Sequence, residues 1–232
     1  MRGRFTFVIS CADFLQHYKI DKGLNSYIPN FNASPGQDIP VVLTAGSETV
    51  LDTNRWGLIP HWAKDPEIGG RMINARAETM AEKPSSRSSF FGRRCLVIAD
   101  GFYEWEKEGG AKVPYYVRLK DRPVFGFAGL WDQWKSPEGA VIKSCAIITV
   151  WPNEFMKGIH DRMPAILPKS SEPAWLDPEN KEKSDLLSLL RPCDSSSMEA
   201  YQVSNAVNDP LNNSEDCIKP VPRKDRGLSK FF

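Results

Sequence analysis

Four short stretches of this 232-residue chain hold side chains capable of chemistry. Glu104 stands among Phe102, Tyr103 and Trp105 in ADGFYEWE (99–106). A carboxyl surrounded by aromatic rings is partly withdrawn from water, which moves its pKa up toward the range of a useful general acid. His160, Asp161 and Arg162 follow one another in IHDRMP (159–164), and an imidazole exchanges protons near neutral pH. Asn74, Arg76 and Glu78 alternate in INARAET (73–79), so an extended chain points all three to one face. An amide such as Asn74 fixes a substrate or an amine by hydrogen bonds without changing charge. WGLIPHW (56–62) sets Trp56, His61 and Trp62 around a proline. Arg4, Arg76 and Arg162 suit phosphates, and Trp56 or Trp62 suits stacking on a base. Each stretch alone has an ordinary explanation, because aromatic clusters are mostly core and a Glu between aromatics on a strand is mostly solvent-facing. Together they suit single-stranded nucleic acid handled by acid–base chemistry. They bring no nucleophile, since no Ser-His-Asp or Cys-His arrangement is present. His17, His61 and His160 lie far apart and lack metal-ligand spacing, so neither a metal nor another cofactor is expected.

The elements that must position these residues are mainly strands. Phe5, Phe7 and Ile9 alternate in residues 4–10, and Ser10 then reads as the N-cap of a short helix carrying Cys11, Phe14, Leu15 and Tyr18 on one face. Residues 25–38 are turn-rich and predict an ordered loop, with strands near 39–44 and 48–52. From residue 94 onward, RCLVIAD, GFYEWEKE, VPYYVRL, PVFGFAGLWDQW and VIKSCAIITV follow one another, with EGGA and SPEG as hairpin links. Helical signals return near 171–176 and 184–190, with Ser184 as a cap. These features predict an α+β single domain: a mostly antiparallel sheet or open barrel with a few peripheral helices. The domain is expected to span 1–222, followed by a loose basic tail at 223–232.

The totals exclude little. Lys and Arg number 30 against 29 Asp and Glu, a net charge of +1 that neither demands nor excludes nucleic acid. No apolar run reaches the roughly 18 residues of a spanning helix. The chain start lacks the apolar core of a signal peptide, so a cytoplasmic location is expected. Five cysteines, at 11, 95, 145, 193 and 217, form no CxxC pair and are expected to be reduced structural thiols.

Eight segments, in order and spacing, carry a more specific message: GRF (3–5), NASPGQ (32–37), RWGLIPHW (55–62), INARAET (73–79), RRCLVIADGFYEW (93–105), CAIITV (145–150), IHDRMPAIL (159–167) and VSNAVN (203–208). Across nearly its whole length the chain resembles the SOS-response-associated peptidase (SRAP) family of abasic-site processing proteins. The resemblance implies action on abasic sites in single-stranded DNA during the DNA damage response. It implies removal of Met1 and an N-terminal cysteine at position 2. The α-amine of that cysteine condenses with the aldehyde of the open abasic sugar, and its thiol closes a thiazolidine cross-link. By the same resemblance Asn74 orients the N-terminal residue, Glu104 is the acid–base group, and His160 assists sugar opening and reversal. Arg4, Arg76 and Arg162 line the DNA groove, with Trp62 as a wedge or stacking surface. A monomer is expected, associated with the nucleoid when bound to DNA, with replication-fork proteins as further partners and no membrane.

Position 2 departs from the family pattern Met-Cys-Gly-Arg, because this chain has Arg2. Arginine has no thiol, and its protonated guanidinium is a poor nucleophile. A large second residue also disfavours removal of Met1. One base transition converts a cysteine codon to arginine, and the presence of Asn74, Glu104 and His160 together favours such a change over a natural non-cross-linking variant. Three functions compete at this point: a covalent cross-linker of abasic DNA, a non-covalent single-stranded DNA reader, and a protease acting on other proteins.

Overall fold

The computed structural model describes residues 3–24 and 26–221. Arg2 and the tail expected at 223–232 lie outside the described residues. In chain order the strands are β1 (Phe5–Phe7), β2 (Lys22–Gly23), β3 (Asn30–Ala33), β4 (Asp38–Ala45), β5 (Glu48–Trp56), β6 (Asn74–Arg76), β7 (Arg94–Ala99), β8 (Gly101–Glu108), β9 (Ala111–Leu119), β10 (Phe125–Lys135), β11 (Val141–Val150), β12 (Met163–Pro164) and β13 (Met198–Gln202). The helices are short and peripheral: α1 (Cys11–His17), α2 (Pro84–Gly92), α3 (Glu154–Lys157), α4 (Glu172–Leu176) and α5 (Lys183–Ser188). None of the described helices is long and apolar enough to cross a membrane.

Two sheets result, and both follow from the run of strands. β4, β5, β7, β10 and β11 form a ring: neighbours pair antiparallel in the order β11-β10-β7-β4-β5, and a short parallel pairing of β5 with β11 closes it. Closure leaves few free edges, which is how a small barrel avoids edge-to-edge association. β7 (RCLVIA) is buried at every position, because the barrel interior takes one face and α4 and the second sheet cover the other. The second sheet has the order β13-β9-β8-β1-β3. Its β8–β9 link is a tight hairpin with Gly109 at φ +53° and Gly110 at φ +85°, a turn open to glycine at both centres. The α+β, mostly antiparallel architecture expected from sequence is therefore what the chain adopts, with three parallel pairings added.

β1 lies between β8 and the edge strand β3 in the second sheet and is clamped there by Asp100. The carboxylate of Asp100 accepts the amides of Val8 and Ile9, the latter at 3.0 Å, and the hydroxyl of Thr6. Burial pushes the Asp100 carboxyl above its usual range, and these hydrogen bonds pull it partly back. Ser10 caps α1 as expected, accepting the Asp13 amide at 3.1 Å.

Four local expectations are corrected. The segment 25–38 contains β3, whose Ala33 pairs with Phe5. β5 runs past residue 52 to Trp56, because its far end pairs with β4 and β11. Ser184 lies inside α5, not at its cap; Glu182 occupies that place and makes no side-chain cap bond. The period-2 segment 73–79 is a strand only through Arg76. The Arg76 carbonyl then accepts the amides of Thr79 and Met80 in a turn, so Glu78 leaves the line of Asn74 and Arg76.

Candidate active site

The start of the chain is delivered to Glu104 by strand register. Phe5 pairs with Phe102 and Thr6 with Gly101, and the Tyr103 amide donates to the Arg4 carbonyl at 3.1 Å. Continued by two residues, this antiparallel register sets Gly3 opposite Glu104. Gly3 has φ +76°, and a Cβ there would lie 3.0 Å from Ile73 Cδ1 and 3.1 Å from Pro35 Cγ. Both the backbone and the space demand glycine, and the contact with Ile73 seats the chain start beside Asn74.

Glu104 is fully buried. Alternation along β8 explains it: Phe102 and Glu104 share one face, while Tyr103 and Trp105 face a second apolar cluster with Tyr116 and Val207. Glu104 is thus withdrawn from water as expected, although Tyr103 and Trp105, two of the three aromatic neighbours invoked for it, point to the opposite face of the strand. His160 Nε2 lies 3.9 Å from Glu104 Oε2, and the His160 side chain is 20% exposed. His160 Nδ1 accepts the Arg162 amide at 3.0 Å and sits 2.9 Å from Asp161 Oδ1. While Nδ1 accepts the amide, the ring proton is on Nε2 and faces Glu104. The arrangement sets a fully buried carboxyl beside a partly exposed imidazole.

β11 gathers the remaining residues. β6 runs parallel to it with Asn74 opposite Ile147 and Arg76 opposite Thr149. Asn74 is half-buried and Arg76 exposed. Arg162 donates to the Thr149 carbonyl at 2.6 Å and to both carboxylate oxygens of Glu78 at 2.8 and 3.0 Å. Burial pushes the Glu78 carboxyl up, but the hydrogen bonds from Arg162 and its own amide, with the charges of Arg162 and Arg76, hold it below the usual range. The guanidinium of Arg162 also lies 4.9 Å from the ring centre of Trp151.

The structure sorts the expected DNA residues. Arg76 is exposed, and Trp62 is 52% exposed on the wall of a cleft of about 440 Å³ with Lys64, Ile68 and Arg71. Arg4 turns inward, donating to Asn32 Oδ1 at 3.0 Å and the Val207 carbonyl at 2.9 Å, and burial lowers its pKa. Half-buried, it braces the second sheet. Trp56, the alternative stacking residue, is buried against Phe5 and donates to the Ile73 carbonyl at 2.9 Å, so it cannot meet a base. Arg2 lies outside the described residues. Sequence reasoning passed over Asp100, Thr149 and Trp151; the signal for the last was an aromatic placed at the end of a strand, directly before Pro152. All five cysteines are free, and Cys11, Cys95, Cys145 and Cys217 are buried. Burial pushes the Cys193 thiol up to about 11, away from nucleophilic use.

A closed barrel flanked by a sheet that sets Gly3 opposite a buried carboxyl, with an imidazole 3.9 Å from it, defines the fold class as α+β. Over residues 1–210 the chain matches the family model described as SOS response associated peptidase (SRAP), and it belongs to that family. It is 47% identical over 222 residues to the abasic site processing protein YoqW of Bacillus subtilis, covering 94% of this chain and 99% of that one. It is 34% identical to the abasic site processing protein HMCES of Xenopus tropicalis, covering 87% and 69%. A crystal structure of a protein from Bacteroides thetaiotaomicron superposes with a TM-score of 0.86 at 29% identity, covering 94% of this chain and 99% of that one.

Proposed function

We propose that this protein processes abasic sites in single-stranded DNA, and that its chemistry is carried out at the chain start beside Glu104 and His160. The observation that carries this is the register that sets Gly3 opposite Glu104, next to the segment of Asn74. The names of the relatives, abasic site processing proteins, support the same substrate.

An abasic sugar in its open form presents an aldehyde. With cysteine first in the chain, its α-amine adds to that aldehyde and water leaves, giving an imine. The thiol then adds across the C=N bond and its proton passes to nitrogen, closing a thiazolidine with no net oxidation. Glu104 and His160 supply and accept the protons of both steps, and Asn74 holds the amine. Arg76, Arg162 and Trp62 hold the strand. The only peptide bond cut in this scheme is the one after Met1, so turnover of other proteins is not part of it.

Arg2 limits this chain to a part of that sequence, since no thiol stands at position 2. That residue favours a second reading, a non-covalent reader of abasic DNA on the same surface. A denaturing gel separates the two. The protein and its Arg2→Cys variant each meet an oligonucleotide carrying one abasic site. A shifted band with Arg2→Cys alone is the expected result. No band from either protein refutes the covalent scheme, and an equal band with intact DNA refutes the abasic specificity.

A further inference from the structure

We propose that Trp151 is a stacking platform for a nucleobase of the DNA strand, on the far side of the candidate site from Trp62; this rests on the function proposed above. A single exposed indole carries little information by itself. Trp151 differs because it is both exposed and held. The residue is 63% exposed, and the guanidinium of Arg162 lies 4.9 Å from the centre of its ring. Arg162 is in turn fixed by Glu78 and by the Thr149 carbonyl. One face of the indole is therefore anchored while much of the ring stays open to water. An immobilised aromatic face beside a cation is the arrangement that binds a base with its phosphate attached.

The position fits the path of a strand. Trp151 follows the last residue of β11, at the end where Arg76 and Arg162 meet Thr149. At the other end of β11, Ile142 packs with Trp134 and Ala63, next to the exposed Trp62. Residues 142–150 of a strand span roughly 26 Å. Asn74, opposite Ile147, lies between the two indoles. Among the described residues Trp62 and Trp151 are the exposed large aromatics, and they bracket the site. The neighbour that Trp151 stacks on is Arg162, itself ion-paired with Glu78, and a charged contact of this kind suits a charged polymer with π faces.

The test uses the full chain with its own Arg2, so that binding is read without cross-linking. Fluorescence anisotropy measures Kd for an oligonucleotide with a central tetrahydrofuran, a stable abasic analogue. Two further oligonucleotides replace the bases on the 5′ or on the 3′ side with tetrahydrofuran. Trp151→Ala is expected to weaken binding to the first oligonucleotide about 5- to 150-fold, the range for losing one stacked base. Trp151→Phe is expected to keep most of the affinity. The defect of Trp151→Ala should vanish on one of the two stripped oligonucleotides and persist on the other. An unchanged Kd for Trp151→Ala overturns the proposal while leaving the DNA reading intact. A defect that persists on both stripped oligonucleotides overturns it too, because Trp151 then acts only through Arg162 on phosphate. If the unaltered protein binds none of the three, the functional reading itself fails and this inference with it.

Discussion

Replacing Asp100 separates the role of its shape from the role of its charge. Oδ2 accepts two backbone amides, from Val8 and Ile9, and Oδ1 accepts the Thr6 hydroxyl. In Asp100→Asn the new side chain can turn its oxygen to the two amides and its NH2 to Thr6. Thr6 then donates elsewhere, to the Tyr116 hydroxyl at 2.8 Å or the Gly101 carbonyl at 3.3 Å. Asp100→Asn is therefore expected to stay within about 1 kcal/mol of the parent at pH 7. Asp100→Ala orphans two amides; at 1–3 kcal/mol per buried orphan, less what entering water recovers, the cost is about 2–4 kcal/mol. For a chain of this size that lowers Tm by about 5–15 °C. The pH dependence follows from the same site. Burial raises the Asp100 carboxyl above its ordinary 3.8. A raised folded pKa gives stability that is fully present below the unfolded value and is lost as pH rises through the folded one. The Asp100→Asn protein lacks this dependence, and all other groups cancel in the comparison. The stability of the parent minus that of Asp100→Asn should accordingly fall between about pH 3.5 and pH 7. Urea denaturation of the three proteins at both pH values measures it. A loss above about 2 kcal/mol for Asp100→Asn at pH 7, or a difference that grows with pH, would refute the reasoning.

Other consequences are open to test. In the Arg2→Cys background, Glu104→Gln keeps the volume and removes the acid, so the cross-linking rate should fall about 10²- to 10⁴-fold in a gel time course; a fall below tenfold would remove Glu104 from the chemistry. Gly57 has φ +137° and a Cβ there would lie 2.6 Å from the Gly69 carbonyl oxygen, so Gly57→Ala should cost about 2–4 kcal/mol in chemical denaturation and loosen the loop that carries Trp62. Arg94 is buried and serves the carbonyls of Phe90, Trp175, Asp177 and Asn180. Arg94→Met leaves those acceptors unserved and should cost about 3–5 kcal/mol, with Arg94→Lys recovering part; equal Tm values for parent and Arg94→Met would contradict this.

The chemistry-bearing residues were legible because their types and motifs are local. Glu104 among aromatics, the His160-Asp161-Arg162 run and Asn74 were all visible in short windows, and the strand run from residue 94 followed from alternation and hairpin glycines. What was not legible depends on contacts distant in sequence. Trp56 and Trp62 look alike in the sequence, yet β5 pairing with β11 carries one inward and leaves the other on a loop. Arg4 reads as a phosphate ligand, and its bonds to Asn32 and Val207, far along the chain, are invisible in any short window. Glu78 breaks the period-2 pattern because the chain turns at Arg76, and only the fold brings it to Arg162. α2 gave no apolar period, since its buried face is Ser86, Ser89 and Phe90. Pro84 in its first turn was the available sign.

The inward turn of Arg4 also dates the completion of the site during synthesis. Its guanidinium is bonded to a carbonyl 203 positions further along the chain, and the clamp at Thr6 waits for Asp100, 94 positions on. At elongation rates of about 5–20 residues per second, roughly 10–40 s separate the emergence of β1 from that of its last partner. Through that interval β1 stands without the partners that fix it. Gly3 therefore reaches its place opposite Glu104 only after nearly the whole chain has been made, and the ribosome's pace sets how late that is.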